Sequence, residues 1–98
     1  MITVIFRSRL KDTADVAAWQ TLYERLYDIV SRMPGFLAIK DFTATDGETV
    51  SIAEFSSMEA VEAWKAHSEH VIGQQRGREE FFSAYEVQVC QVIRTAKM

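Results

Sequence analysis

The stretch Phe36–Phe55, FLAIKDFTATDGETVSIAEF, reads as two strands joined by a tight turn. Phe36 to Ala44 sets Phe36, Ala38 and Phe42 against Leu37 and Ile39, and Thr49 to Phe55 is a second strand. Between them, Thr45-Asp46-Gly47-Glu48 is a hairpin signal, because Asp-Gly supplies the positive φ that tight turns need. The pair is therefore antiparallel and adjacent. Everything on either side must build outward from it.

Upstream, Met33-Pro34-Gly35 closes a helix, since proline cannot continue one and glycine tolerates the turn. Val16, Trp19, Tyr23, Leu26, Val30 and Met33 step by three and four, predicting an amphipathic helix of about five turns. Asp12 or Thr13 is its expected cap, and Trp19 and Tyr23 read as core. Before it, residues 2–10 alternate Ile2, Val4 and Phe6 with Thr3, Ile5 and Arg7, which is a strand.

Downstream, SSMEAVEAWKAHSEHVIGQQRGREEFFSAY (Ser56–Tyr85) holds both histidines and one of the two tryptophans. Ser56 with Glu59 reads as a capping box. Ala60, Val61, Trp64, His67 and Val71 recur on one helical face, so Trp64 and His67 are neighbours one turn apart. Two helical pieces are expected: one through about His67, then Ser68 to Gln75 with Gly77 as the stop. Glu79 to Ser83 adds a short helical turn, and Tyr85 to Arg94 alternates as the last strand. The order is β-α-β-β-α-β. It predicts an α+β, ferredoxin-like domain over residues 1–98, a four-stranded antiparallel sheet with both helices on one face.

Composition narrows the function classes. A net charge of −3 gives no reason to expect nucleic acid or an anionic membrane as partner. Cys90 is the one cysteine, which excludes an intrachain disulfide and suits a reducing compartment. MITVIF is apolar too briefly to be a signal peptide or a span, so a cytoplasmic protein is expected. Several strands are apolar on both faces: Ile2, Val4 and Phe6 against Ile5, and Val87 and Val89 against Cys90 and Val92. Such strands are covered on both sides. With no third layer in so short a chain, a homodimer packed sheet to sheet is expected.

An early strand ending FRSRL, a helix ending MPGF, a strand ending AEF, then SMEAVEAWKAHSEH and GREEFFSAYEVQVCQVIR resemble the antibiotic biosynthesis monooxygenase (ABM) family over nearly the whole chain. The most specific piece runs from Ser57 through Trp64 and His67 to His70. The resemblance implies a dimeric α+β barrel with a pocket between sheet and helices. It implies oxidation of an aromatic small molecule, a polycyclic phenol or quinol, with dioxygen as co-substrate and no flavin, haem or metal. Such chemistry asks for a base, a polar group for the phenolate and a dry aromatic pocket.

By that resemblance Trp64 lines the pocket, and His67 or His70 is the base, imidazole titrating near neutral pH. Arg7, Arg9 and Arg78 are candidates for holding the anion. A haem-degrading branch of the same superfamily uses a first-strand asparagine and a histidine ten residues past the tryptophan. Those positions fall near Ser8 and at Gln74, which counts against haem. The plain readings stand beside these: Trp64 as core, the histidines as capping or solvated residues, Cys90 as packing. His67-x-x-His70 offers a metal two ligands without a third. A second class of function is a dimeric ligand-binding or accessory protein without turnover: a pocket filled by Phe42, Phe55, Phe81 or Phe82 favours it, and an open pocket with a perturbed histidine inside favours the oxygenase.

Overall fold

The computed structural model describes the backbone of all 98 residues and every side chain except that of Ser68. Its elements are β1 (Ile2–Leu10), α1 (Val16–Val30), β2 (Phe36–Thr43), β3 (Thr49–Phe55), α2 (Met58–Ala66), α3 (Ser68–Arg76), a π-helical turn Gly77–Phe81, and β4 (Phe82–Gln91). The sheet order is β2-β3-β1-β4, and every ladder is antiparallel. This is the ferredoxin-like topology that the element order predicts. Among the described residues no helix is long and apolar enough to cross a membrane.

The hairpin forms with one left-handed residue. Gly47 has φ +92°, its N–H donates to Ala44 O at 2.9 Å, and Ala44 N–H donates to Glu48 O at 2.8 Å. Asp46 keeps a negative φ, so it contributes differently, its carboxylate accepting from Glu48 N at 3.0 Å. The strand faces on β2 differ from simple alternation. A register shift between Phe36 and Ala38 inserts Leu37 as an extra residue. Phe36 and Ile39 therefore share the helix-facing side, opposite Phe55 and Ala53, while Ala38 and Phe42 turn to the other face.

Helix ends also move. The α1 cap is Asp15, accepting from Ala18 N at 3.0 Å, rather than Asp12 or Thr13. The helix stops at Val30, leaving Met33 outside it. The α2 cap is Ser57, not Ser56, and accepts from Ala60 N at 3.2 Å. With Ala60 in the position a capping-box glutamate would take, Glu59 does not close a box; it lies in the first turn, where the helix dipole favours a carboxylate.

Two clusters hold the helices on the sheet. Ile2, Val30, Phe55, Ala60 and Val61 form one, with Val4, Phe36, Ala53 and Trp64 packed against it. Leu22, Phe81 and Phe82 form the other, with Phe6, Trp19 and Leu26 around them. Trp19 meets the Phe82 ring edge-on at 4.9 Å, so it is the core residue its spacing predicts. Gly77 does not stop the chain: its φ of −57° continues the helix into the π turn, and a Cβ there would meet the Phe82 ring at 2.7 Å. That turn delivers consecutive Phe81 and Phe82 to the same cluster, and Lys11 N–H pins it by donating to Phe81 O at 2.8 Å. β4 consequently starts at Phe82 and ends at Gln91, three residues earlier than predicted at each end.

Gly35 is required twice. Its φ is +85°, and a Cβ would lie 2.6 Å from Ala60 Cβ and 2.9 Å from Ser56 Oγ. Gly47 carries only the backbone requirement, with nothing within 4 Å. Gly35→Ala is expected to cost about 2–4 kcal/mol, the left-handed strain plus a clash with α2. Gly47→Ala should cost about 1 kcal/mol. Urea unfolding of both variants checks this, and equal costs would contradict the close approach of Gly35 to α2.

Candidate functional site

Trp64 lies one turn beyond Ala60 on α2, so the helix that buries Ala60 and Val61 brings the indole to the edge of the same cluster. The helix then breaks. His67 is extended, with φ −63° and ψ 131°, and its Nδ1 accepts the Glu69 N–H at 3.1 Å to cap α3. That break lets the next helix fold His70 back over Trp64. The two rings stack with centroids 4.5 Å apart and planes 25° apart. His67 meets the same indole at 5.8 Å and 40°. The three residues singled out in sequence are thus one aromatic group. Val71, expected on their face, is instead exposed on α3.

The histidines do different jobs. His67 Nδ1 is an acceptor in the cap, which places its proton on Nε2. His70 is half-buried, and its Nδ1 has no hydrogen-bond partner among the described residues. Burial pushes the His70 pKa below 6.5, His67 nearby adds to the lowering, and the Lys65 and Trp64 backbone partly opposes it. Its imidazole is therefore neutral at pH 7, with Nδ1 closed off from solvent.

Next to this group the helix-facing side of the sheet is open. Tyr85, Val87 and Val89 pair with Ser8, Phe6 and Val4, so they face the helices, yet they remain 42, 45 and 50% exposed. Val4 links this strip to the indole, since it neighbours Val89 and packs on the cluster that carries Trp64. Arg78 Nη1 reaches the Tyr85 hydroxyl at 3.5 Å. Arg7 and Arg9 belong to the other face of the sheet, paired with Glu48 at 2.9 Å and Asp46 at 2.8 Å. Of the three candidate arginines, Arg78 is the one on the helix side. Arg76 pairs with Glu80 at 2.7 Å and lies over the Phe81 ring.

Phe55 and Phe81 are 2% exposed and Phe82 is buried, so three aromatic rings fill the space beneath the helices. Phe42 lies on the opposite face, 49% exposed. Two surface cavities stand out, of about 280 Å³ beside Tyr23, Glu24, Tyr27, Ile39 and Asp41, and about 400 Å³ around Arg9, Asp12, Asp46 and Ser83. Trp64, His67 and His70 line neither. Among the described residues no three His, Cys, Asp or Glu side chains gather as a metal site. Cys90 is half-buried opposite Thr3 on the sheet face away from the helices.

One polar group escaped the sequence reading. Asp41 accepts from the Tyr23 hydroxyl at 2.6 Å and from Ser51 Oγ at 2.5 Å, on the helix-facing side of β2. Burial, then the Asp41 bond and charge, raise the Tyr23 pKa and keep the phenol protonated. Its signal in sequence is an acidic residue on a helix-facing row, visible only once the Leu37 bulge has set that row.

The family model described as antibiotic biosynthesis monooxygenase matches residues 1–76. The uncharacterised protein YqjZ of Bacillus subtilis (strain 168) is 32% identical over 91 residues, covering 93% of this chain and 78% of that protein. Among solved structures, Rv0793 from Mycobacterium tuberculosis superposes with a TM-score of 0.83 at 18% identity, over 98% of both chains. SnoaB, a cofactor-independent oxygenase from Streptomyces nogalater, superposes with a TM-score of 0.78 at 18% identity, over 96% of this chain and 94% of that one. At such identities the structures speak for the fold alone. The family follows from the model match over most of the chain and from the Bacillus relative: this chain belongs to the antibiotic biosynthesis monooxygenase family.

Proposed function

We propose that the protein is a cofactor-independent monooxygenase that oxidises a phenolic or quinol-type aromatic small molecule with dioxygen. One observation carries this reading. The His70 imidazole stacks on Trp64 at 4.5 Å, at the edge of the cluster whose Val4 borders a helix-facing apolar strip. The indole supplies a flat wall for an aromatic substrate. His70 accepts the phenolic proton as general base. The electron-rich phenolate then passes electrons to dioxygen. In a phenol whose para carbon carries hydrogen, one oxygen atom enters the ring there and becomes the second quinone carbonyl. The other leaves as water with the phenolic proton and the displaced ring hydrogen. Arg78, near Tyr85, is the candidate for holding the oxyanion. His67 positions the pair by capping α3.

The working unit in this reading is a cytoplasmic homodimer. Ile5, Val50, Ile52 and Phe42 share the sheet face away from the helices, a surface suited to a second copy. Light scattering is expected to give twice the chain mass for the wild type and a monomer for Ile52→Glu. A monomeric wild type would contradict the sheet-to-sheet packing.

A second reading, ligand binding without turnover, is favoured by the filling of the helix–sheet space with Phe55, Phe81 and Phe82. Oxygen uptake by metal-stripped protein against anthrols, quinols and catechols separates the two. Uptake without added cofactor is expected, and its absence across the panel, with the ligands still binding, would favour the second reading. Trp64→Phe and His70→Gln are expected to lower turnover, His70→Gln by about 10²-fold or more as general-base loss requires. Full activity in both would overturn the site.

The lowered His70 pKa also sets a pH dependence. In the unfolded chain this histidine takes up its proton near pH 6.5, and in the folded protein only at lower pH. Its contribution to stability is complete above that value and is lost as pH falls through the interval between the two. Urea midpoints should therefore fall from pH 7 to pH 5 more steeply for the wild type than for His70→Gln. Parallel curves would contradict a buried neutral imidazole.

A further inference from the structure

The Trp64–His70 pair is closed in this structure. His70 lies flat on the indole with ring centroids 4.5 Å apart, its Nδ1 is shut off from solvent, and neither surface cavity reaches either residue. A ligand that meets both rings needs the space the stack now occupies. The element that carries His70, α3, must move to provide it.

α3 is held lightly. Among its described residues Gly73 alone is buried, while Val71 and Ile72 are 48 and 49% exposed, so the helix gains little from burying apolar surface. Gly73 rests against Leu26 of α1, and Arg25 pairs with Glu69 at 2.9 Å with the arginine 64% exposed, where solvent weakens an ion pair. Nine residues are too few to make a stable helix unaided. Both ends of α3 are joints. The backbone turns extended at His67, and the hydrogen-bond pattern changes from α to π at Gly77. Outside these joints the chain is anchored, by buried Ala60 and Val61 in α2 and by buried Phe81 in the π turn.

We propose that α3 is a lid, which lifts off α1 about His67 and Gly77 to admit an aromatic ligand between His70 and Trp64. Lifting separates the stack, and the two ring faces that now cover each other become the walls of the ligand's slot. The motion breaks one exposed ion pair and one glycine contact. It draws no buried side chain of the described lid residues into water, because the buried one, Gly73, has none. α1, α2 and the π turn stay in place, since Leu22, Ala60, Val61 and Phe81 belong to the two core clusters. The lid's role as a gate rests on the oxygenase reading; its motion does not.

The test is amide hydrogen exchange of the full chain, followed by NMR, beside a reversible lock. The Leu26 Cγ position, where a cysteine carries its sulfur, lies 3.7 Å from a Cβ built on Gly73, close enough for a disulfide after a small shift. Leu26→Cys with Gly73→Cys, in a Cys90→Ser background that leaves no competing thiol, therefore pins α3 to α1 when oxidised and frees it when reduced. In the wild type the amides of residues 71–76 should exchange at least about 100-fold faster than those of the buried turns of α1. Oxidation of the lock should slow them at least about tenfold, and reduction should restore them. 1-Naphthol under argon should shift the His70 ring resonances in the reduced protein and not in the oxidised one. Glu69→Gln, which needs no lock, should speed exchange in α3 by about two- to fivefold and leave α1 unchanged. Lid amides as slow as those of α1, no effect of Glu69→Gln, or naphthol shifts equal in the two redox states would each overturn the lid. Gated naphthol binding without oxygen uptake on any phenol of the panel would keep the lid and overturn the oxygenase reading.

Discussion

One extended residue determines where the chemistry-bearing side chains meet. On a continuous helix Trp64 and His70, six residues apart, would point to different sides. With ψ at 131°, His67 ends α2 and starts α3 in a new direction, and His70 comes to lie flat on the indole at 4.5 Å. The break is held from both ends: His67 Nδ1 caps the Glu69 amide, and its own N–H donates to Trp64 O at 3.1 Å. Beyond it, α3 docks on α1 where a Cβ on Gly73 would lie 2.8 Å from Leu26 Cδ1, with the Arg25–Glu69 pair at the same contact. A small residue and one ion pair thus fix the angle at which His70 approaches.

The sheet side of the site rests on a different constraint. β4 starts where the π turn has placed Phe81 and Phe82, and the helices do not reach beyond them to cover Tyr85, Val87 and Val89. An α-helical exit from α3 would carry these rings through a different rotation, since a π turn adds a residue to the cycle. Helix-facing but uncovered, the strip is an apolar surface at the margin of the helix layer. The same arrangement leaves the centre of the fold filled by Phe55, Phe81 and Phe82.

Much of this was legible in the chain. β1 follows from alternation, β3 from the Asp-Gly turn before it, the two helical pieces after Ser57 from the position of His67, and the meeting of Trp64 with His67 from their spacing. What escaped depends on single residues whose effect is not local. Leu37 is an ordinary apolar residue, yet as a bulge it reverses the face of everything after it in β2, which sets Asp41 on the helix-facing side within reach of the Tyr23 hydroxyl. Gly77 looks like a stop because glycine often ends helices, but here it continues one, its missing side chain making room for the Phe82 ring. Ser56 and Ser57 are equal as caps in composition. Packing decides between them, because Ser56 sits against Gly35.

The proposed chemistry requires a neutral His70 imidazole, stacked on Trp64, to meet the phenol. Imidazole ¹⁵N chemical shifts at pH 7, recorded with and without a phenolic ligand, test it most directly. A neutral His70 is expected, its imidazole shifts moving on addition of the phenol while those of His67 stay fixed in the cap. A charged His70, or imidazole shifts that do not respond to a phenol shown to bind, would contradict the proposal.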